Sequence, residues 1–220
     1  MLLLSLREGP NITALTDSPH DETDLIAALK RRDEPAFVQV VARYQGPMLR
    51  LALVYAKSHA LAEEIVQEAW LGVLRGLDQF EGRSSFKTWL FRIVVNRART
   101  RAEREGRTVP FSALEPAVPA ERFLGDDHPE WPAHWAVPPR SWGASADERL
   151  QSRETMDLIE GAIAALPTTQ REVITLRDVE GASSEEVCNI LSITETNQRV
   201  LLHRARGRVR ASLERHFDNL

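Results

Sequence analysis

The chain has little of what most catalytic and metal sites are made from. Its 220 residues include one cysteine, Cys188. No intrachain disulfide or multi-cysteine metal site can therefore form, and the pattern fits a reducing cytoplasm. Cys188 itself reads as a small core residue. Aromatic residues make up 6% of the chain, and no run alternates apolar and polar residues long enough to suggest a sheet. There is no Gly-rich phosphate loop or nucleophile motif, and no His or Asp keeps metal-ligand spacing, so neither an enzyme nor a metal or cofactor site is expected. The opening MLLLSL stops at Arg7-Glu8-Gly9-Pro10, too short for a signal h-region and far too short to cross a bilayer. A soluble cytoplasmic protein without membrane insertion is the expectation. Bulk positive charge is missing too: the formal net charge is −4, so any contact with nucleic acid must be local.

What the chain does have is Ala, Leu, Arg and Glu in helical periods, and enough length for two small domains. Residues 1–20, with Gly9, Pro10, Asp17 and Pro19, read as a mobile tail. Residues 21–107 read as a first helical domain. Two short amphipathic helices are separated at Asp33-Glu34-Pro35, Met48 to Tyr55 continues the bundle, and Ser58-His59 breaks it. From 108 to 146, Pro110, Pro116, Pro119, Pro129, Pro132, Pro138 and Pro139 mark a linker that also holds Trp131, Trp135 and Trp142. Helical period resumes over 147–220. The expected fold is all-α: two small helical domains joined by a long Pro/Trp-containing linker, the second with a helix-turn-helix.

The stretch from Glu63 to Arg104 changes character in its middle. Leu61, Ile65, Ala69 and Val73 form an apolar stripe, while Glu64, Gln67 and Glu68 line another face with both carboxylates one turn apart. Asp78 to Ser85 then reads as a loop, with Gly82 as breaker and Ser84 or Ser85 able to cap a helix opening at Phe86. That helix turns Phe86, Trp89, Leu90, Ile93 and Val94 inward. Lys87, Arg92, Arg97, Arg99, Arg101 and Arg104 crowd its other faces, a field suited to a phosphate backbone.

These residues carry a resemblance. AEEIVQEAW, followed by FEGRSSFKTWLFRIVVN, resembles region two of bacterial RNA polymerase sigma factors of the extracytoplasmic-function class, within the sigma-70 family. So does the earlier DLIAALKRRDEPAFVQVVARY. The resemblance implies that Glu64, Gln67 and Glu68 dock on core RNA polymerase. It also implies that the loop and following helix capture the melted −10 promoter element, with Phe80, Arg83, Ser84, Ser85, Lys87, Trp89, Arg92, Asn96, Arg97 and Arg99 as candidates. Single-stranded recognition combines a positive groove with aromatic faces or pockets for extruded bases. For Trp89, a buried packing role stands beside the binding one.

In the second domain Met156, Ile159, Ile163 and Leu166 make one stripe. Thr169-x-x-Glu172 reads as a capping box opening the next helix, and Gly181 ends it. Ser183-x-x-Glu186 reads as another capping box for a short helix, and Ser192-Ile193-Thr194 as the turn into a long basic one. In that last helix Leu202, Ala205, Val209 and Leu213 face the core, while Arg199, His203, Arg206 and Arg210 step along another face. ALPTTQREVITLRDVEGASSEEVCNIL and LHRAR resemble region four of the same family, which reads the −35 element. Glu195, Asn197, Gln198, Arg199, His203, Arg204 and Arg206 are the candidates. Where the family commonly has Gly-Thr-Val-Lys-Ser-Arg, this chain has Thr196-Asn197-Gln198-Arg199-Val200-Leu201, so no promoter sequence carries over.

The function implied is promoter-directed transcription initiation with core RNA polymerase and promoter DNA as partners, and with an anti-sigma factor covering the docking surface. The linker reads either as a plain tether or as a segment that threads a polymerase channel, a path that the resemblance implies. The alternative is a stand-alone helix-turn-helix regulator, which should footprint duplex DNA without the polymerase.

Overall fold

The computed structural model describes residues 19–104 and 153–217, and every regular element among them is helical. In chain order the helices are α1 (Pro19–Lys30), α2 (Glu34–Leu53), α3 (His59–Gly76), α4 (Phe86–Arg104), α5 (Arg153–Ala164), α6 (Thr168–Ile174), α7 (Ser184–Leu191) and α8 (Glu195–Phe217). Of the expected tail 1–20, residues 1–18 lie outside the described residues, as does the linker 108–146 with its three tryptophans, while α1 already includes Pro19 and His20. Contacts sort the described residues into two compact units: 19–104 with 175–193, and 153–174 with 194–217. Residues 175–193 fall inside the expected 147–220 domain in sequence and against the helices of the first unit in space.

In the first unit, caps fix where helices start. The Asp33 carboxylate accepts from the Ala36 N–H at 2.9 Å, an N-cap of a kind worth about 1 kcal/mol, and Pro35 sits in the first turn, where its missing N–H costs nothing. The second expected short helix and the Met48–Tyr55 stretch prove to be largely one helix of 20 residues, which continues through Pro47. Pro47 removes one helical hydrogen bond, and the burial of Met48, Leu51 and Ala52 immediately after it offsets that loss. Ser58 caps α3 through its hydroxyl, 3.2 Å from the Leu61 N–H. Ser85 caps α4, its hydroxyl accepting from the Thr88 N–H at 3.2 Å.

Helix α4 is the centre of this unit. It buries Phe86, Thr88, Leu90, Phe91, Val94, Val95 and Ala98, an arc wider than the single stripe a surface helix needs. One side of that arc meets α2 and α3; the other meets α7. Helix α7 opens on the expected capping box, in which Ser183 and Glu186 each hold the other's backbone N–H. It closes at Ser192, in the left-handed region at φ 57°. Before it lies a π-helical turn, Thr175–Val179, with the Glu180 N–H reaching back to the Thr175 carbonyl at 2.9 Å.

In the second unit, α5 and α6 both pack on α8. Their core is Ala162, Leu166, Val173, Ile174, Leu201, Leu202, Ala205 and Leu213. The expected capping box at Thr169 is not there. Helix α6 already begins at Thr168, the Pro167 carbonyl accepts from the Gln170 and Arg171 N–H groups, and the Thr169 hydroxyl is buried without a hydrogen-bond partner. Pro167 sets the start of the helix two residues earlier than the Thr-x-x-Glu spacing suggests, because its fixed φ suits helix entry.

Candidate nucleic-acid interface

The end of α3 and the start of α4 hold an aromatic cluster. Phe86, 1% exposed, is its anchor. Phe80 meets it edge-on with ring centroids 6.0 Å apart, Trp89 lies 4.9 Å from Phe80 and 5.7 Å from Phe86, and Tyr44 closes the far side at 6.1 Å. Trp89 is only half-buried. It lies close over Gly76, where a Cβ would stand 3.2 Å from its ring, so glycine at the end of α3 lets the indole lie flat. The loop turns at Gly82, φ +71°, a conformation that a side chain would strain.

Helix α1 and the turn after it hold this loop in place. Lys30 Nζ donates to the Phe80 carbonyl at 2.8 Å, and Arg32 donates to the Leu74 carbonyl at 3.3 Å while pairing with Asp78 at 3.1 Å. The Glu22 carboxylate accepts from the Phe86 N–H. None of these three positioning residues stood out in the sequence, where they are ordinary charges on an amphipathic helix.

The loop and α4 border an open cavity of about 440 Å³ lined by Phe80, Arg83, Ser84, Trp89 and Arg92 together with Gln79, Glu81, Thr88 and Asn189. That size is in the range of pockets for small-molecule-sized groups. Five of the −10 candidates meet here: two aromatic rings, two guanidinium groups and a hydroxyl, the combination that suits an unstacked base and its phosphate. Arg83 is held by Glu81 at 3.2 Å.

The other candidates on this stretch point elsewhere. The Ser85 hydroxyl contacts Thr88 at 2.9 Å and the Glu186 carboxylate at 3.3 Å. Lys87 donates to the Glu180 carbonyl at 2.8 Å, and Arg99 to the Leu191 carbonyl at 3.2 Å. Asn96 and Arg97 are exposed further along α4, outside the cavity lining, with Arg97 beside Gly72 of α3. Burial raises the pKa of the Glu186 carboxyl. The Ser183 N–H and hydroxyl, the Thr88 hydroxyl and the Lys87 charge outweigh burial and hold it below the ordinary carboxylate value.

On α3, Glu64, Gln67 and Glu68 are all exposed, and Arg101 of α4 reaches both carboxylates, at 3.2 and 3.7 Å. Next to them stand two large apolar side chains in solvent, Leu71 at 51% and Leu74 at 38% exposure. Sequence reasoning passed over this pair. The signal was available, since both lie outside the Leu61–Ile65–Ala69–Val73 stripe, and Gln67, Leu71 and Leu74 follow the i, i+4, i+7 spacing of one face.

At the start of α8, the Thr194 hydroxyl accepts from the Asn197 N–H at 3.3 Å, and Glu195 pairs with Arg199 at 2.8 Å. Glu195, Asn197, Arg199, Arg204 and Arg206 are exposed and His203 is half-buried. Gln198 is 3% exposed. It belongs to the packed side of the helix with Leu201, Leu202 and Ala205, because positions 198, 201, 202 and 205 share one face.

Comparison with known proteins identifies the family. Residues 40–108 match the model for sigma-70 region 2 and residues 156–209 that for sigma-70 region 4. The chain is 32% identical over 187 residues to the ECF RNA polymerase sigma-E factor of Escherichia coli K12, covering 83% of this chain and 88% of that protein. It is 29% identical over 194 residues to the RNA polymerase sigma-H factor of Pseudomonas aeruginosa, covering 88% and 94%. Among solved structures it is similar in fold to CnrH bound to the cytosolic domain of CnrY (TM-score 0.56, 20% identity, 88% of this chain and 97% of that one). It is also similar to RpoE bound to the anti-sigma factor NepR from Bartonella quintana (TM-score 0.55, 24% identity, 81% and 96%).

Proposed function

Since the chain belongs to the extracytoplasmic-function class of sigma-70 RNA polymerase sigma factors, a family that directs transcription initiation and is not a class of enzymes, we propose how its surfaces divide that work. The cavity between the loop 80–85 and α4 takes a base of the melted −10 element, with Trp89 and Phe80 as its aromatic walls and Arg83 and Arg92 on the phosphates. The exposed face of α3, with Glu64, Gln67, Glu68, Leu71 and Leu74, docks on core RNA polymerase, and an anti-sigma factor competes for the same face. The exposed first turn of α8, Glu195, Asn197 and Arg199, reads the −35 duplex in the major groove, while Arg204 and Arg206 hold phosphates. Residues 108–146 join the two promoter-reading regions. The observation that carries this reading is the cavity, which gathers rings, cations and a hydroxyl where single-stranded DNA needs them.

The test is run-off transcription with purified core polymerase on genomic templates. Discrete promoter-dependent transcripts are expected, and none with core alone; a protein that footprints duplex DNA but never starts a transcript would be a stand-alone regulator. In the same assay Glu64→Lys with Glu68→Lys should weaken core association and leave the melting temperature nearly unchanged, because exposed ion pairs contribute only about 0–1 kcal/mol. Undiminished core binding would remove the docking assignment.

Arg199→Ala tests the second reading surface. If Arg199 meets a base edge, its loss should flatten preference at one position of the −35 element by about 1–3 kcal/mol. A uniform loss of affinity over all promoters would make it a phosphate contact.

A further inference from the structure

The cavity takes its shape from the segment 80–86, and both ends of that segment are held from outside by one helix. At its first residue Lys30 Nζ donates to the Phe80 carbonyl at 2.8 Å. At its last the Glu22 carboxylate accepts from the Phe86 N–H. Both contacts are made to main chain, so they fix where the backbone runs whatever side chains the segment carries. Glu22 and Lys30 lie eight residues apart on α1, a rise of about 12 Å, whereas the six peptide units from Phe80 to Phe86 could extend to about 20 Å. The extra length is taken up in the turn at Gly82, φ +71°, beside Arg83 and Ser84 of the cavity lining.

A third tie lies just before the segment. Arg32, in the left-handed region at φ 62°, pairs with Asp78 at 3.1 Å and donates to the Leu74 carbonyl at 3.3 Å. Contacts within the segment are local, Arg83 to Glu81 at 3.2 Å and the Ser84 hydroxyl to the Ser85 carbonyl at 3.3 Å, and do not set where it stands against α4. Neither Glu22 nor Lys30 is among the residues that line the cavity.

We propose that Glu22 and Lys30 are positioning residues for base selection: by setting both ends of the segment 80–86 they decide which base the cavity accepts, without touching DNA. This deepens the assignment of the cavity to the −10 strand and rests on it. A contact to a base edge discriminates only at hydrogen-bonding distance and angle. A loop free to shift by about 1 Å still holds phosphate but no longer tells one base from another.

The test uses holoenzyme assembled from purified core polymerase and the full-length protein. The probe is a fork-junction DNA pool whose exposed strand is randomised. Sequencing the bound fraction gives the base preference at each position, and titration of the unsorted pool gives overall affinity. K30M removes the donor and a positive charge; E22L removes the acceptor and a negative one. Bulk electrostatics therefore moves their pool affinities in opposite directions. Positioning predicts a shared result, loss of preference at the same position by about fivefold or more, the scale of one base contact. K30R and E22Q, which keep a donor and an acceptor, should retain that preference. Unchanged preference in both K30M and E22L, whatever happens to overall affinity, overturns the positioning role. Should either fail to fold, alanine at the same position decides by the same criterion.

Trp89→Ala on the same pool separates the two ideas. If it erases a preference that K30M and E22L keep, the cavity assignment stands and the positioning role falls. If the wild type selects no base, or selects one that Trp89→Ala leaves untouched, both are overturned.

Discussion

Phe86→Ala is expected to cost the first unit about 3–5 kcal/mol, the range for deleting a fully buried phenylalanine ring. Phe86 is 1% exposed and touches Tyr44, Phe80 and Trp89 at once, so no single neighbour can move in to fill the space it leaves. It is also the first residue of α4, and its N–H is held by Glu22. The vacated volume would therefore lie at the joint between the loop and the helix that carries most of the cations. Native-state hydrogen exchange at the amides of α3 and α4 should report the loss directly, with protection falling by several orders of magnitude at 3–5 kcal/mol. A loss below about 1 kcal/mol would mean that the cluster closes over the gap and that Phe86 is not its anchor.

Trp89→Ala is expected to act in the opposite proportion, taking more from DNA binding than from stability. The indole is half-buried and lines the cavity, so its removal leaves a wider opening and not a closed void. Stacking of one base on an aromatic side chain is worth about 1–3 kcal/mol by alanine substitution, or roughly 5- to 150-fold in affinity. The measurement is binding of a fork-junction DNA with an exposed single strand to the assembled polymerase complex, beside a thermal melt of the free protein. Trp89→Phe should recover part of the loss, because a smaller ring still offers a face. Unaltered DNA affinity together with a lowered melting temperature would leave Trp89 a packing residue.

Much of this arrangement is legible in sequence because it is local. Asp33, Ser58, Ser85 and Ser183 announce helix starts through bonds to residues three positions on, and each is found capping. Thr169 carries the same spacing and caps nothing, since Pro167, two residues earlier, had already set the chain on a helical course. Gln198 stands among the −35 candidates beside Glu195, Asn197 and Arg199, whereas position 198 falls on the face of Leu201 and Leu202 and is buried with them. The partners of Glu186 show the limit most clearly. Its bond to the Ser183 N–H is readable from a three-residue interval, but its bond to Ser85 spans 101 positions, and no periodicity carries across that distance. Leu71 and Leu74 were missed for a different reason: an exposed leucine is common enough on any surface that only its adjacency to the acidic face gives it meaning.

Arg101 gives the acidic face of α3 a built-in counter-ion. Because it bridges toward Glu64 and Glu68 together, a partner that brings its own cations to those carboxylates does not meet bare charge; it performs an exchange, in which one set of nitrogens replaces another. Such an exchange yields little net energy, because an ion pair is lost for each one gained, and it discriminates strongly against partners whose cations are misplaced. It also draws the carboxylates away from Arg101 at the end of α4, in the same basic tract as Arg97 and Arg104. Occupation of the acidic face thereby raises the positive potential along the neighbouring helix, a coupling carried by electrostatics and attenuated by salt over a Debye length of about 10 Å at 0.1 M.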